Sequence, residues 1–380
     1  MEDRLRYNFR GIISAPVEAL KAKKILVCSL YILGALFIYD IFVYLASVLD
    51  GSSSFTYSSF GLLPVTLLRF EGTFAALLYY IGIGLSGLIL MIGAMAIAIM
   101  DIENLRGNPF VSASEAIGFS LKRAKPLLLS WLAIVLFLGF IVLLGMIIGL
   151  ITRLPFVGEF LYSFFFFFPN FIVAIFAVLI IFIMFIGILL SPAAVSAEIK
   201  GETFNSILGL FSTIIRQPVR WTAYTLYTAA AGKIAAFIFA YFAFRAVQFL
   251  KLVTSVGGGS KIDNIISSGM MHLPIQSDWI MFTTNIFPGI RFGFDISRIS
   301  TGVAYEGITA YISAVSLFLI FLIIWGYIFS IVATGQTYTY LIIRKIRGGS
   351  DVTGETSIFS NSEKDIPSPE EDFVKLENSG

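Results

Sequence analysis

Long apolar runs constrain this chain more than any other feature of its sequence. A helix needs about 20 residues to cross the ~30 Å hydrocarbon layer of a bilayer. Six segments reach that length, namely residues 25–49, 74–100, 127–151, 161–190, 219–247 and 308–341. Because backbone polar groups surrounded by lipid must bond within their own segment, each run predicts a helix. The sequence therefore predicts an all-α, polytopic transmembrane helix bundle of six spans, covering residues 1–348.

The composition agrees with a chain embedded in lipid and narrows the possible chemistry. Hydrophobic residues make up 57% and charged residues 13% of the 380 residues, against roughly 45–50% and about 25% in soluble domains. A net charge of +2 gives no reason to expect a nucleic-acid partner. With His272 and Cys28 as the single residues of their types, multi-histidine and cysteine-rich metal sites are excluded. We expect no cofactor, no metal and no enzymatic activity.

The distribution of lysine and arginine predicts how the spans are oriented. The termini and the connections on their side of the membrane carry 18 basic residues, whereas the opposite connections carry 6. Because cytoplasmic loops retain lysine and arginine, both termini are predicted to be cytoplasmic, and we expect the plasma membrane as the location. The chain starts with the acidic residues Glu2 and Asp3, unlike a signal peptide. Residues 25–49 are therefore predicted to be a retained span.

Amphipathic stretches recur on the predicted cytoplasmic side. Each even-numbered span ends in a basic residue followed by glycine, at Arg106-Gly107, Lys200-Gly201 and Arg347-Gly348, a pattern typical of helix ends. After the first two ends, apolar residues at helical spacing predict short interfacial helices. These residues are Ala113, Ala116, Ile117, Leu121 and Ala124 in one stretch, and Phe204, Ile207, Leu208, Phe211, Ile214 and Ile215 in the other.

Local signals predict the bounds of these interfacial helices. Ser112 and Glu115 have the spacing of a capping box. Pro126 and Pro218 are expected to separate each interfacial helix from the next span. A third copy is expected to precede the first span, with apolar residues between Ile12 and Leu20.

Three amphipathic stretches, each followed by a two-span hairpin, resemble the six-span membrane domains of the glycerophosphodiester phosphodiesterase membrane-domain type and related uncharacterised families. The resemblance covers about residues 10–348 and rests on small-residue and apolar patterns. In that family a separate soluble domain, rich in histidines and carboxylates, carries the catalysis, and this sequence offers no counterpart. The resemblance therefore implies a membrane domain and not a phosphodiesterase.

Two regions lie outside the predicted helices. The outer loop 251–307 contains many large apolar residues, among them Trp279 and Phe282. These are expected either to lie in the outer interface or to cap the bundle, and a lid or re-entrant element is a further alternative. Residues 349–380 have the composition of a disordered cytoplasmic tail.

Polar residues inside the spans are the candidate functional groups, because they are costly in lipid. Asp40 and Lys233 have similar predicted depths in the first and fifth spans and could pair. Such a pair would either neutralise two buried charges or line a path for a substrate or proton. Asn170 follows Pro169, where a bend is expected, and could hydrogen-bond to another helix.

The predicted function is that of a non-enzymatic membrane scaffold or accessory protein that organises lipids or partner proteins. Membrane lipids are the expected partners, together with a possible protein partner at the cytoplasmic face. The alternative is a transporter or permease subunit that uses Asp40 and Lys233.

Overall fold

The computed structural model describes residues 9–64, 68–198, 203–275, 277–287, 289–293, 304–346 and 359. Within these ranges the chain is an all-α bundle, and six of its helices are long and apolar enough to cross a membrane. This confirms the predicted fold class.

The helices and strands have the following bounds. In chain order they are α1 (Phe9–Ile13), α2 (Ala15–Ala19), α3 (Ala22–Leu49), α4 (Ser53–Phe60), α5 (Thr73–Leu105), α6 (Ala113–Ile151), α7 (Val157–Leu161), a π-helical segment (Tyr162–Phe166), α8 (Phe167–Ala197), α9 (Thr203–Arg216), α10 (Pro218–Gly258), α11 (Ser260–Met271), α12 (Ser277–Thr284), β1 (Asn285–Phe287), β2 (Ile290–Arg291) and α13 (Ala304–Ile346). The strands β1 and β2 form one antiparallel pair.

The helix ends follow the predicted local signals where the structure describes them. At the start of α6, the Glu115 backbone N–H donates to Ser112 Oγ at 3.2 Å, and the Ser112 N–H donates to Glu115 Oε2 at 2.7 Å. After α5, Gly107 takes a φ of 93°, a conformation that favours glycine at a helix end. The other two basic-glycine pairs lie outside the described residues.

The prediction that Pro126 separates an interfacial helix from the third span is wrong. Helix α6 is continuous and contains Pro126. A proline inside a helix removes the hydrogen bond to the carbonyl four residues earlier, here that of Lys122. Ending one helix and starting another would leave several backbone groups without intrahelical partners, so the continuous helix is the less costly arrangement. Pro218 does mark a boundary, since α9 ends at Arg216 and α10 begins at Pro218.

The fourth span changes helix type just before Pro169, the residue at which a bend is predicted, and α8 itself contains the proline. The segment Tyr162–Phe166 is π-helical, and the Phe167 N–H bonds to the Tyr162 carbonyl five residues back. Pro169 has no N–H for the Phe165 carbonyl, so a regular α-helical ladder is interrupted at this point.

The predicted amphipathic stretch before the first span forms two short helices instead of one. Pro16 lies near the start of α2 and cannot donate to the Ile12 carbonyl, which separates α1 from α2. Ile12 and Ala19 are fully buried, whereas Val17 and Leu20 are exposed.

The predicted outer loop 251–307 is largely folded where the structure describes it. Helix α10 continues to Gly258 and is followed by α11, α12 and the β1–β2 pair. The predicted tail lies almost entirely outside the described residues. Phe359 is described, and its ring packs edge-on against that of Phe119, with centroids 6.4 Å apart.

The chain divides into two compact units. Unit 1 comprises Met1–Gly11, Ala98–Thr222 and Gln336–Gly380. In its described part, α9 buries Ile207, Leu210 and Ile214 and packs on α8 and α6. Three further apolar residues of the predicted amphipathic stretch, Phe204, Leu208 and Ile215, are exposed.

Unit 2 comprises Ile12–Ile97 and Ala223–Gly335. Its core joins α10, α12 and α13 through a cluster that includes Ala240, Phe244, Phe321 and Ile324. The rings of Phe244 and Phe321 are 5.0 Å apart. A second cluster, with Ala19, Ile25, Tyr327 and Ile331, joins α2 and α3 to α13.

Candidate functional site

The three polar residues predicted to lie inside spans are found on three different long helices. Asp40 lies on α3, Asn170 on α8 and Lys233 on α10. Asp40 and Lys233 belong to unit 2, and Asn170 belongs to unit 1. Each is therefore considered in its own surroundings.

Lys233 does not pair with Asp40, because its ammonium group has another partner. Lys233 Nζ donates to the Phe282 carbonyl and lies 3.7 Å from the centroid of the Phe282 ring. Phe282 is in the last turn of α12. Carbonyl groups in a last turn lack intrahelical donors, and the negative end of the helix dipole lies there. Lys233 therefore caps the C-terminal end of α12.

Helix α12 packs beside the middle of two apolar stretches. Lys233 is the central residue of the apolar stretch 219–247, and Trp325 is near the centre of the stretch 308–341. The rings of Trp279, on α12, and Trp325 are 5.6 Å apart. These contacts place α12 against the bundle, as both the capping and the re-entrant alternatives for the outer loop require.

Asp40 is a partly buried carboxyl group on an apolar helix. Its Oδ1 atom is buried and has no hydrogen-bond partner among the residues that the structure describes. The Tyr44 hydroxyl, one turn further along α3, donates to the Gly61 carbonyl at 2.6 Å. Because buried polar groups are nearly always hydrogen-bonded, Asp40 remains a candidate functional residue.

Asn170 lines a cavity of about 730 Å³ between α6 and α8, here named the α6–α8 groove. Its apolar lining consists of Ile141, Val142, Leu144, Gly145, Ile148, Gly149, Val173, Ala174 and Ala177. Its polar lining consists of Thr152, Glu159, Tyr162, Ser163 and Asn170. The volume lies within the range of about 300–1,000 Å³ that is usual for small-molecule sites.

The polar and apolar groups occupy different ends of the α6–α8 groove. The polar groups follow the end of α6 or lie at the π-helical segment and the first turn of α8. The apolar lining on α6, from Ile141 to Gly149, extends ~12 Å along the helix. π-helical turns are frequent at functional sites. The groove is thus polar at one end and apolar at the other, which matches the two ends of an amphiphilic molecule.

Two polar side chains in the α6–α8 groove have unused bonding capacity. Within the described parts of the chain, the Glu159 carboxylate makes no salt bridge, and the Asn170 side chain makes no hydrogen bond. Glu159 is exposed, and Asn170 is half-buried. Asn170 was identified from the sequence as an intramembrane polar residue. Glu159 was not, although it is the acidic residue between the two most apolar helices.

A buried ion pair in unit 1 was also missed by the sequence analysis. Arg106 and Glu103 form a salt bridge of 2.8 Å, and both side chains are fully buried. Asp101 is fully buried as well. Arg106-Gly107 follows the end of α5, as predicted, and three polar side chains at this end, those of Asp101, Glu103 and Arg106, pack inside the protein. Burial of a paired charge is compatible with a purely structural role.

Among the described residues, no group of three or more His, Cys, Asp or Glu side chains is placed to hold a metal ion. No protein family, no curated protein and no solved structure matches this chain. The resemblance to the glycerophosphodiester phosphodiesterase membrane-domain type therefore stays a prediction.

Proposed function

We propose that this chain is a non-enzymatic membrane protein of the scaffold or accessory type, which organises lipids or partner proteins in the plasma membrane. The exposed apolar surface of α6 and α8 carries the proposal. The comparison uses the most apolar 18-residue stretch of each helix. In this stretch no residue of α6 is buried, and 17% of the residues are buried in the segment that contains α8. The buried share is 44% in α5 and in α13. Lipid or the helices of a partner therefore cover the α6 and α8 surface.

The proposed orientation places both termini in the cytoplasm. The 18 to 6 division of basic residues supports it. In this orientation α9 lies at the cytoplasmic face, and its exposed residues Phe204, Leu208 and Ile215 form a surface for lipid or for a protein partner. The resemblance to non-catalytic membrane domains supports the proposal by analogy.

Site-specific photo-crosslinking in native membranes tests the α6 and α8 surface. A benzophenone amino acid replaces Phe185 of α8, which is 75% exposed, or Phe37 of α3, which is 64% exposed and serves as the control. After irradiation and purification in mild detergent, mass spectrometry identifies the adducts. We expect one protein or lipid species at position 185 with a yield about tenfold above that at position 37, as for a specific complex. Equal, unspecific adduct patterns at the two positions contradict the proposal.

Transport is a second candidate function, and the buried Oδ1 atom of Asp40 favours it. Ionisable residues in transmembrane helices frequently belong to substrate or proton pathways. Helix α12, packed beside the middle of two apolar stretches and capped by Lys233, is the kind of short element that lines such pathways. In this candidate function Asp40 takes up and releases the proton.

Replacement of Asp40 by asparagine tests the transport candidate. If Asp40 carries protons, proteoliposomes with the natural chain and trapped pyranine conduct protons faster than protein-free liposomes. Asp40→Asn then lowers this proton flux at least about tenfold, because an asparagine side chain cannot take up and release a proton as a carboxyl group does. Glu71→Gln, at an exposed carboxylate, leaves the flux unchanged. A natural chain that conducts no better than protein-free liposomes contradicts proton conduction through Asp40.

A further inference from the structure

We infer that the α6–α8 groove binds one membrane lipid whose head group carries a primary ammonium, as in phosphatidylethanolamine. The inference rests on the proposed function and specifies a ligand for its α6 and α8 surface. Its basis is the order of chemical groups along the groove: the Glu159 carboxylate lies at the polar end, the Asn170 amide follows, and apolar side chains line the other end.

The carboxylate of Glu159 selects the head group. It makes no salt bridge within the described residues and lies at the polar end of the groove, together with the hydroxyl groups of Tyr162 and Ser163. A carboxylate accepts charge-assisted hydrogen bonds from a primary ammonium. A quaternary ammonium has no N–H to donate, and a phosphatidylglycerol head group has no cation. The polar end therefore complements a primary ammonium best.

Asn170 has the position and chemistry for the ester region of the same lipid. It lies seven residues after Ser163, which is ~10 Å along a helix, and its amide makes no hydrogen bond within the described chain. An asparagine amide can donate to a carbonyl oxygen, and lipid esters supply such oxygens below the head group. Asn170 thus lies between the groove's ammonium-binding and chain-binding parts.

The apolar end accommodates an acyl chain because glycines leave space on α6. A Cβ atom built at Gly145 or Gly149 meets no atom within 4 Å, and both residues line the groove. A lipid is favoured over a second copy of this chain, because pairing of two copies through the groove would bring two Glu159 carboxylates into one interface, and no lysine or arginine lines the groove.

Lipid competition tests the inference on the full chain. The protein is reconstituted in nanodiscs with equal amounts of dioleoyl phosphatidylethanolamine, phosphatidylcholine and phosphatidylglycerol, then extracted in mild detergent and examined by native mass spectrometry. We expect one retained lipid, with phosphatidylethanolamine enriched about fivefold, as expected for a single solvent-accessible ion pair. Glu159→Gln removes the enrichment, and Glu71→Gln, at a carboxylate outside the groove, preserves it.

A pair of glycine variants shows whether the retained lipid occupies the groove. Gly145→Leu fills the space beside α6 and is expected to abolish retention. Gly139→Leu, on the same helix at a position that also meets no atom within 4 Å but does not line the groove, retains the lipid. Equal melting temperatures for the two variants show that both fold.

Three outcomes overturn the inference. They are equal retention of the three lipids, enrichment of phosphatidylglycerol, and a dimer without bound lipid. If lipid is retained without a head-group preference, the proposal that lipid covers the α6 and α8 surface still holds, and only the proposed ammonium site is contradicted. Absence of any lipid, combined with equal crosslinking at positions 185 and 37, removes the proposed function as well.

Discussion

Gly326→Ala is expected to lower the stability of the protein by about 2 kcal/mol, because a methyl group at this position overlaps α3. A Cβ atom at Gly326 would lie 2.8 Å from the Ile25 carbonyl oxygen and closer still to Ser29 Oγ. These are partly backbone contacts, so rotation of one side chain cannot relieve them. The gain in helix propensity from glycine to alanine, up to ~1 kcal/mol, offsets part of the cost.

The same close approach supports a row of hydrogen bonds between α13 and the N-terminal helices. Ser29 Oγ donates to the Leu322 carbonyl at 3.0 Å, and Ser330 Oγ donates to the Ala19 carbonyl at 3.0 Å. The Tyr327 hydroxyl donates to the Pro16 carbonyl at 3.1 Å. Separation of the helices lengthens all three bonds, and each is worth about 0.6 kcal/mol in a membrane protein.

Thermal unfolding in detergent, followed by tryptophan fluorescence, measures the effect of Gly326→Ala. We expect a fall in melting temperature of roughly 5 °C. Gly84→Ala is the matched control, since Gly84 lies in a long apolar helix of the same unit and its added Cβ meets no atom within 4 Å. This control should be neutral or slightly stabilising. Equal melting temperatures of the two variants would disprove the close packing at Gly326.

Features set by local chemistry could be predicted from the sequence. The six long helices follow from the length and apolarity of their segments, which do not depend on tertiary partners. The capping box at Ser112 and Glu115 and the left-handed Gly107 also depend on a few neighbouring residues. The boundary at Pro126 was wrong because a proline allows either a break or a continuous helix, and the surroundings decide between them.

The candidate sites depend on contacts between distant segments, and sequence patterns do not encode these directly. Lys233 was recognised as a buried cation, but its partner, the Phe282 carbonyl, is 49 residues away on a segment predicted to be a loop. Asn170 was recognised by its polarity, whereas the groove around it depends on the spacing between α6 and α8. Glu159 had a usable signal, namely a carboxylate in a short connection between two very apolar helices.

The Lys233 contact predicts that Lys233→Met releases α12 from its position beside α10. Methionine keeps the length of the side chain but removes the donor of the Phe282 carbonyl and the cation above the Phe282 ring. A hydrogen bond to a charged group contributes about 1.5–3 kcal/mol. Because 1.4 kcal/mol corresponds to a factor of ten, the population with α12 detached should rise at least about tenfold.

Cysteine labelling measures this detachment. In a Cys28→Ser background, which removes the natural cysteine, Thr283→Cys places a thiol at a position of α12 that is 2% exposed. A membrane-impermeant maleimide should label it slowly in the presence of Lys233 and about tenfold faster in Lys233→Met, since labelling requires local opening. Lys261→Met, at an exposed lysine of α11, is the control and should not change the rate.

Fast labelling in the presence of Lys233 would contradict the packing of α12 beside the middle of α10 and α13. Equal rates with and without Lys233 would show that the cap does not hold α12, because the detached population depends directly on the free energy of this contact.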